Sequence, residues 1–341
     1  MTGKGNCSGD DVRGPTYAAL DLGTNNCRLL VARPTPDGFK VIDAFSRIVR
    51  LGEGLAKTGR LNEAAVRRAV DALRVCARKM RRRSVLRARN VATEACRRAE
   101  NCDAFLTRVR NETGIDLEII STNEEARLAL AGCLPLLEGA ERHGFVFDIG
   151  GGSTELIWIE LDKVNGEAQN GIQGTLSLPV GVVNLAERFG GDRIGRSVYE
   201  EMVEDVASRL SDFERTHDIA RRVGSGDVQM LGTSGTVTTL ASVNQGLARY
   251  ERSLIDGAYL GREDAAAINA RLAEMNYDER AGVPCIGPER ADLVVAGAAI
   301  LDAIWRTWPV PRLRVADRGL REGILLSLMT KARPCGAAAL N

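Results

Sequence analysis

The sequence predicts an α/β protein built from two related halves. Apolar, strand-like runs alternate with helical stretches along most of the 341 residues. A strand, an aspartate, a turn of small residues and a second strand also occur in succession twice. The first copy is Tyr17-Ala-Ala-Leu-Asp21-Leu-Gly23-Thr24-Asn25-Asn-Cys-Arg-Leu-Leu-Val, and the second is Phe145-Val-Phe-Asp148-Ile-Gly150-Gly151-Gly152-Ser153-Thr-Glu155-Leu-Ile-Trp-Ile. Asp21 and Asp148 stand 127 residues apart, which points to a duplicated unit. In both turns glycine permits positive φ and leaves backbone N–H groups uncovered.

The chain is long enough for two domains with cores of their own. Charged residues make up 27%, the composition of a globular protein. No apolar run reaches membrane-spanning length, and Met1 to Arg13 lacks the apolar core of a signal peptide, so a cytoplasmic protein with no membrane partner is expected. Residues 1–14 are expected to form a polar, disordered tail. Eight cysteines without CxxC spacing read as reduced thiols. His143 and His217, both in charged stretches expected at the surface, are too few for a multi-histidine metal site. A hard, oxygen-ligated cation such as Mg²⁺ stays open.

After the first hairpin, Phe39–Phe45 and Arg47–Leu51 read as strands. A helix should run from Asn62, its N-cap, to Met80, because Val66, Ala69, Val70, Leu73, Ala77 and Met80 recur at helical spacing. A strand ends at Asn90–Thr93, Cys102–Thr113 reads as helix, and the short strand Leu117–Ile120 delivers Glu124 and Glu125 to a helix over Glu125–Leu134. In the second half Leu156–Leu161 reads as strand. Val228–Leu231 is a strand leading into Gly232-Thr233-Ser234-Gly235 and a helix, and Ala291–Trp305 is a long apolar helix. A last strand, Arg312–Val315, and a last helix, Leu320–Lys331, return the chain to the first half. The expected division is a first domain over 15–135 plus 318–334 and a second over 136–317.

Three glycines between Asp148 and Glu155 let a backbone approach an anion closely, whereas a plain hairpin has no use for two carboxylates beside them. A dinucleotide fingerprint needs a helix after the glycines, but a strand follows here, and no GxxxxGK[ST] loop occurs. The turn at 232–235 opens a helix, where a phosphate gains the dipole and free N–H groups. Glu124-Glu125 is either an acidic first helical turn or the source of a base for water. Between Arg67 and Arg110 stand 14 Lys/Arg against 4 Asp/Glu, a local +10 in a chain of net +1, leaving −9 elsewhere. Such a strip is either a solvated helix face or a landing surface for a polyanion. Aromatics are 4% and none punctuates it, so nucleic acid is not the expected partner.

Taken together, these stretches resemble the exopolyphosphatase/guanosine pentaphosphate phosphohydrolase (Ppx/GppA) family, within the actin, Hsp70 and sugar-kinase superfamily. The resemblance runs from Tyr17 to Leu326. It rests on Asp21-Leu-Gly-Thr-Asn25, Ala92-Thr-Glu-Ala-Cys-Arg97, Asn123-Glu-Glu125, the triple-glycine motif from Asp148 to Glu155, Ser177-Leu-Pro-Val-Gly181, Gly232-Thr-Ser-Gly235 and Gly319-Leu-Arg-Glu-Gly323. It implies two ribonuclease-H-like domains with substrate phosphates in the cleft between them, in a short two-domain form. It also implies Glu125 as catalytic base, with Asp148 and Glu155 holding water and a metal, Asp21 completing the metal carboxylates, and Mg²⁺ (or Mn²⁺) as the ion. Phosphates would be cradled by Gly23, Thr24 and Asn25, by Gly150, Gly151, Gly152 and Ser153, and by Gly232, Thr233, Ser234 and Gly235. Arg97 and Arg290 match arginines that contact the polyphosphate chain. Asp256-Gly257 departs from the pattern, which has His-Gly there.

The resemblance implies a phosphoanhydride hydrolase, an exopolyphosphatase releasing orthophosphate from polyphosphate, with guanosine pentaphosphate (pppGpp) as the alternative substrate. A kinase or ATPase would need an adenosine loop and an acceptor pocket, and neither is identifiable. A catalytically dead sensor would not need the set Glu125, Asp148 and Glu155. A homodimer is expected from the resemblance and the apolar C-terminal helices.

Overall fold

The computed structural model describes residues 14–36, 38–137, 141–162, 169–190 and 193–330. The expected tail, Gly14 apart, and residues 331–334 of the expected first domain lie outside them, as do Cys7 and Cys335.

The first lobe runs β1 (Tyr17–Leu22), β2 (Asn26–Thr35), β3 (Gly38–Ile48), α1 (Leu55–Thr58), α2 (Glu63–Arg82), β4 (Arg87–Ala92), α3 (Glu94–Arg98), α4 (Cys102–Thr113), β5 (Glu118–Ile119) and α5 (Thr122–Cys133). The second runs β6 (His143–Ile149), β7 (Thr154–Asp162), β8 (Gln169–Leu178), α6 (Val182–Phe189), α7 (Gly195–Ser208), α8 (Ser211–His217), α9 (Ile219–Gly224), β9 (Val228–Thr233), α10 (Ser234–Asn244), α11 (Arg252–Ile255), β10 (Tyr259–Gly261), α12 (Arg262–Glu274), α13 (Tyr277–Ala281), α14 (Val294–Thr307) and β11 (Arg312–Ala316). The closing helix is α15 (Leu320–Thr330).

The duplication is visible in the sheets. Strand order β3-β2-β1-β4-β5 reappears as β8-β7-β6-β9-β11, with β10 added at the far edge. In each copy the first three strands form an antiparallel meander and the next two run parallel to its first strand. The turn joining the first two strands of each meander therefore opens at the same end of its sheet as the carboxyl end of the parallel strand beside it. Ligands of open α/β sheets bind at that end.

Local chemistry accounts for the elements. Asn62 caps α2 by accepting the Ala65 N–H at 2.7 Å, and Val66, Ala69, Val70, Leu73 and Ala77 bury the helix against β2 and its neighbours. The two strands expected over 39–51 are one strand, β3, paired continuously with β2 apart from a bulge at Val31/Ala32. Helix α5 starts three residues before the expected Glu125, because the Ser121 hydroxyl accepts the Glu124 N–H at 3.2 Å. Periodicity cannot see that start, as 121–125 is wholly polar. His143 is not at the surface: it opens β6, 8% exposed, and stacks on Trp158 at 5.0 Å.

Helix α15 returns to the first lobe, where Leu320, Ile324, Leu325 and Met329 pack with Tyr17, Ala19 and Leu30. Helix α5 faces the other way, with Ala126, Leu130 and Cys133 against Val146, Ile157 and Leu231 of the second sheet. The two helices cross backbone against backbone. A Cβ on Gly323 would lie 1.9 Å from the Leu128 carbonyl oxygen, and one on Gly132 would lie 2.0 Å from that of Gly319. Only hydrogen fits at either position.

Candidate active site in the interlobe cleft

The two hairpin turns meet in a cavity of about 490 Å³ between the lobes. A Cβ on Gly151 would lie 2.9 Å from the Asn25 nitrogen, and one on Gly152 would lie 2.8 Å from the Thr24 hydroxyl. These glycines are required by the approach of turn to turn. None of Gly23, Gly150, Gly151 or Gly152 takes the positive φ that glycine permits. Each turn closes on the same hydrogen bond: the Gly23 N–H donates to Asn26 and the Gly150 N–H to Ser153, both at 2.9 Å. Those two N–H groups are thereby used. The N–H groups of Thr24, Asn25, Gly151 and Gly152 have no acceptor among the described residues, and all four residues line the cavity. Such N–H groups form an anion-binding concavity.

A third anion position is the start of α10. Its N-cap, Thr233, makes no side-chain cap and turns its hydroxyl to the Arg318 carbonyl at 2.7 Å. Ser234 is held at φ +81°. The uncapped helix end, with Ser234 and Gly235, opens into the cavity. Gly232 does not belong to this group. It lies inside β9, paired with Phe147 and Val315, and a Cβ there would strike the Phe147 ring at 2.6 Å. Its role is packing, and the expectation of a phosphate contact at this residue is corrected.

Charge in the cleft is divided into two groups. One is cationic: Arg28, Arg290 and Arg321 all line it. Burial first, with repulsion from Arg28, pushes the Arg290 and Arg321 guanidiniums below their ordinary range. Among the described residues neither Arg28 nor Arg321 has an ion-pair or hydrogen-bond partner, and Arg290 is held only by the Thr239 hydroxyl at 2.8 Å. Partly buried cations left without an ion-pair partner and close together leave room for an anion of several charges. Neighbouring Arg252 and Arg318 differ in being paired. Arg252 binds Glu322 at 3.0 Å, and Arg318 is gripped by Asp256 at 2.9 and 2.5 Å. Asp256 also accepts the Asp317 N–H at 3.0 Å, so the residue found where His was expected anchors the crossing into α15.

The other group is acidic. Burial raises the Asp21 and Asp148 carboxyls, and Asp148 adds repulsion on Asp21. Glu155 is raised to about 7 by burial and by Asp148, although the Ser153 and Ser177 hydroxyls donate to its Oε1 at 2.6 and 3.0 Å. Glu125 is pushed well above the usual carboxylate range by burial and then by Glu155, with Arg97 opposing. Arg97 Nη1 donates to Glu125 Oε2 at 2.7 Å and to the Ile120 carbonyl at 3.0 Å, and its other nitrogens reach Glu94. Two carboxylates occupy the Arg97 guanidinium, which does not line the cavity, and here it orients Glu125.

No three acidic, Cys or His side chains among the described residues stand close enough to cage a metal ion. Asp21 and Asp148, neighbouring carboxylates on the cavity floor, nevertheless fit a cation that takes one or two carboxylates and completes its shell with substrate phosphates and water, as Mg²⁺ does.

The Ppx/GppA phosphatase family model matches residues 30–332, nearly the whole chain. The chain belongs to the Ppx/GppA phosphatase family. Exopolyphosphatase 2 of Mycobacterium tuberculosis is 30% identical over 327 residues, covering 91% of this chain and 98% of that protein. A solved exopolyphosphatase-like protein aligns with TM-score 0.83 at 31% identity, covering 93% of this chain and 99% of its own. The Aquifex aeolicus member of the family aligns with TM-score 0.75 at 28% identity over 94% and 99%. As in the other Ppx/GppA proteins, the architecture is two-domain and actin-like, and the activity is that of a phosphoanhydride hydrolase. No helix among the described residues is long and apolar enough to cross a membrane.

Arg28 and Arg321 were not picked out by sequence reasoning, although a signal for Arg28 existed. In the first hairpin Asp21 pairs across the strands with Arg28, and in the second Asp148 pairs with Glu155, so Arg28 and Glu155 occupy the same place in the two copies. Aligning the repeats would have exposed it.

The basic strip is not a landing surface leading to this Ppx/GppA cleft. Ten of its 14 cations have a carboxylate within 4.0 Å, supplied largely by other elements, such as Asp43, Glu112 and Glu118. The other four are Arg78, Arg81, Arg82 and Arg87. The cleft lies past the carboxyl end of β4, whereas Arg87 opens that strand, about 17 Å away at strand rise.

Proposed function

We propose that this chain is a Mg²⁺-dependent exopolyphosphatase that removes orthophosphate from the ends of inorganic polyphosphate, with Glu125 as general base. The observation that carries this reading is the division of charge in one cleft. Unpaired Arg28 and Arg321, with Arg290 and the free N–H groups of both turns, face a polyanion. In the same cleft Glu155 is buried and raised to about 7, a value suited to proton transfer, and the Glu125 carboxyl is held well above its ordinary range by desolvation.

The transfer needs no covalent machinery. The terminal phosphoryl group lies against the turn N–H groups and the start of α10, and the arginines bind its oxygens and those of the next phosphates. A water between the terminal phosphorus and the two glutamates attacks in line. Its proton passes to a Glu125 oxygen while the bridging P–O bond breaks, and the electron pair leaves on the shortened chain. Arg97 fixes the Glu125 carboxylate for that acceptance, and Ser153 and Ser177 fix Glu155 beside it. Asp21 and Asp148, with Glu155 nearby, are the residues that would hold Mg²⁺, which supplies neutralisation of phosphate charge when bound.

The test is phosphate release from chains of defined length, with Mg²⁺ and with chelator, for the wild type and Glu125→Gln. Release that requires the cation and collapses in the variant is expected. Turnover of guanosine pentaphosphate with none of polyphosphate would overturn the substrate, and an undiminished Glu125→Gln would overturn the base.

A further inference from the structure

Outside the cleft, one contact joins the lobes in a way that packing alone does not require. Arg50, in the loop after β3, sends its guanidinium across the gap to Asp292 of the second lobe, with Nη1 to Oδ2 at 2.7 Å and Nη2 to Oδ1 at 3.1 Å. Nη2 also reaches the Glu289 carbonyl at 3.4 Å. These acceptors bracket Arg290, the second-lobe arginine that lines the cleft. The backbone of Arg50 is tied to the other side. The N–H groups of Val49 and Arg50 donate to the Asn25 carbonyl at 2.8 and 3.0 Å, and Gly52 donates to Thr24 at 2.9 Å. Thus the loop 49–52 is the underside of the first phosphate turn.

Arg50 holds φ +48°, a left-handed conformation that a long side chain adopts under strain. A surface ion pair placed for stability alone has no need of that position. Both side chains are 35% exposed, so the pair is soft enough to open. A second bridge lies nearby, where the Gly54 N–H donates to Glu187 Oε1 at 2.9 Å. The covalent connections between the lobes lie elsewhere, beside α5 and α15.

We propose that Arg50 and Asp292 form a latch that sets the width of the cleft, making them positioning residues that hold Arg290 at a fixed reach from the first phosphate turn. With the latch closed, phosphates meet a preformed set of donors from both lobes. With it broken, binding energy goes into drawing the lobes together, and affinity falls while the groups around the reacting phosphorus stay as they were. The kinetic part of this inference rests on the proposed polyphosphate activity, whereas the part about lobe separation does not.

The experiment compares the wild type, Arg50→Ala, Asp292→Asn and the charge-swapped pair Arg50→Asp with Asp292→Arg. Steady-state phosphate release from a polyphosphate of defined length gives KM and kcat. Small-angle X-ray scattering of the free proteins gives lobe separation without any substrate. Either single variant should raise KM about fivefold, the scale of a half-exposed ion pair, with kcat changed less than about twofold. Each should also enlarge the radius of gyration, and the swapped pair should restore both quantities towards wild type. Asp292→Asn, nearly isosteric at a half-exposed site, serves if Arg50→Ala does not fold. Unchanged KM and scattering in the singles overturn the latch, as does a swapped pair whose defects are the sum of the singles. If the wild type releases no phosphate from polyphosphate, the functional reading fails and scattering alone decides the latch.

Discussion

Glu155→Gln should make this protein more stable and less active at the same time. The Glu155 side chain is 4% exposed, and burial reinforced by Asp148 moves its carboxyl from 4.5 to about 7. A tenfold change in proton affinity is worth about 1.4 kcal/mol, so keeping this side chain charged lowers the stability of the fold by ~3 kcal/mol at alkaline pH. The sign follows from the raised value. Between 4.5 and about 7 the folded chain binds a proton that the unfolded chain has released, so the contribution is most favourable below that window and is lost as pH rises through it. Gln keeps the shape and an Oε1 that can accept from Ser153 and Ser177, but it carries no charge at any pH. Denaturant titrations should show a gain over wild type of ~2–3 kcal/mol at about pH 8, shrinking towards zero at about pH 4, where both side chains are neutral. Phosphate release should fall at least about 100-fold, the scale of a lost proton-handling group. A gain that does not depend on pH, or none at about pH 8, refutes the reasoning.

Three further perturbations test other parts of the structure. Arg28→Met removes an unpaired cation from the anion site, so KM for polyphosphate should rise about 10- to 100-fold, the worth of hydrogen bonds to a charged group. Thermal stability should change little, because relieved repulsion on Arg290 and Arg321 is set against lost attraction to Asp21 and Asp148; a lower melting temperature with unchanged KM would assign Arg28 to the core instead. Gly323→Ala forces a Cβ to 1.9 Å from the Leu128 carbonyl oxygen, which no rotamer can relieve, and should destabilise by ~3 kcal/mol or more in chemical denaturation; a loss under about 0.5 kcal/mol would show that the helices part freely. The pH profile of kcat/KM should fall as pH drops through about 7, since Glu155 titrates there, Glu125 is also raised, and both act as carboxylates. A flat profile down to about pH 5 would remove both from the proton-handling step.

Much of this molecule was legible in its sequence, and the failures have physical causes. The hairpins and their repetition were visible because alternation and small-residue turns are local, and the Asn62 cap of α2 is local too. The start of α5 was hidden because its first turn has no apolar side chain to set a phase. The use made of the turn glycines was hidden for a different reason. Glycine serves both positive φ and close approach, and only the opposing turn, 127 residues away, shows which applies. The charge of the 67–110 segment was counted correctly, but its meaning was not, because Asp43, Glu112 and Glu118 neutralise it from β3, α4 and β5. For Arg97 the motif was recognised, whereas its partners Glu94 and Glu125 come together only through the fold.

The crossing of α5 and α15 bears on how accurately the site is built. Most active-site groups are held by side chains packed on side chains, and those contacts breathe as rotamers exchange. Here the helix that carries Glu125 rests on the helix that carries Arg321 through main-chain atoms at Gly132 and Gly323. Leu128 of α5 also packs with Leu320, Ile324 and Leu325 of α15, but at Gly132 and Gly323 no side chain stands between the two backbones. The offset between a proton acceptor and an anion-binding cation is therefore set by the stiffness of two hydrogen-bonded backbones. At those two points it behaves like a dimension cut in solid material.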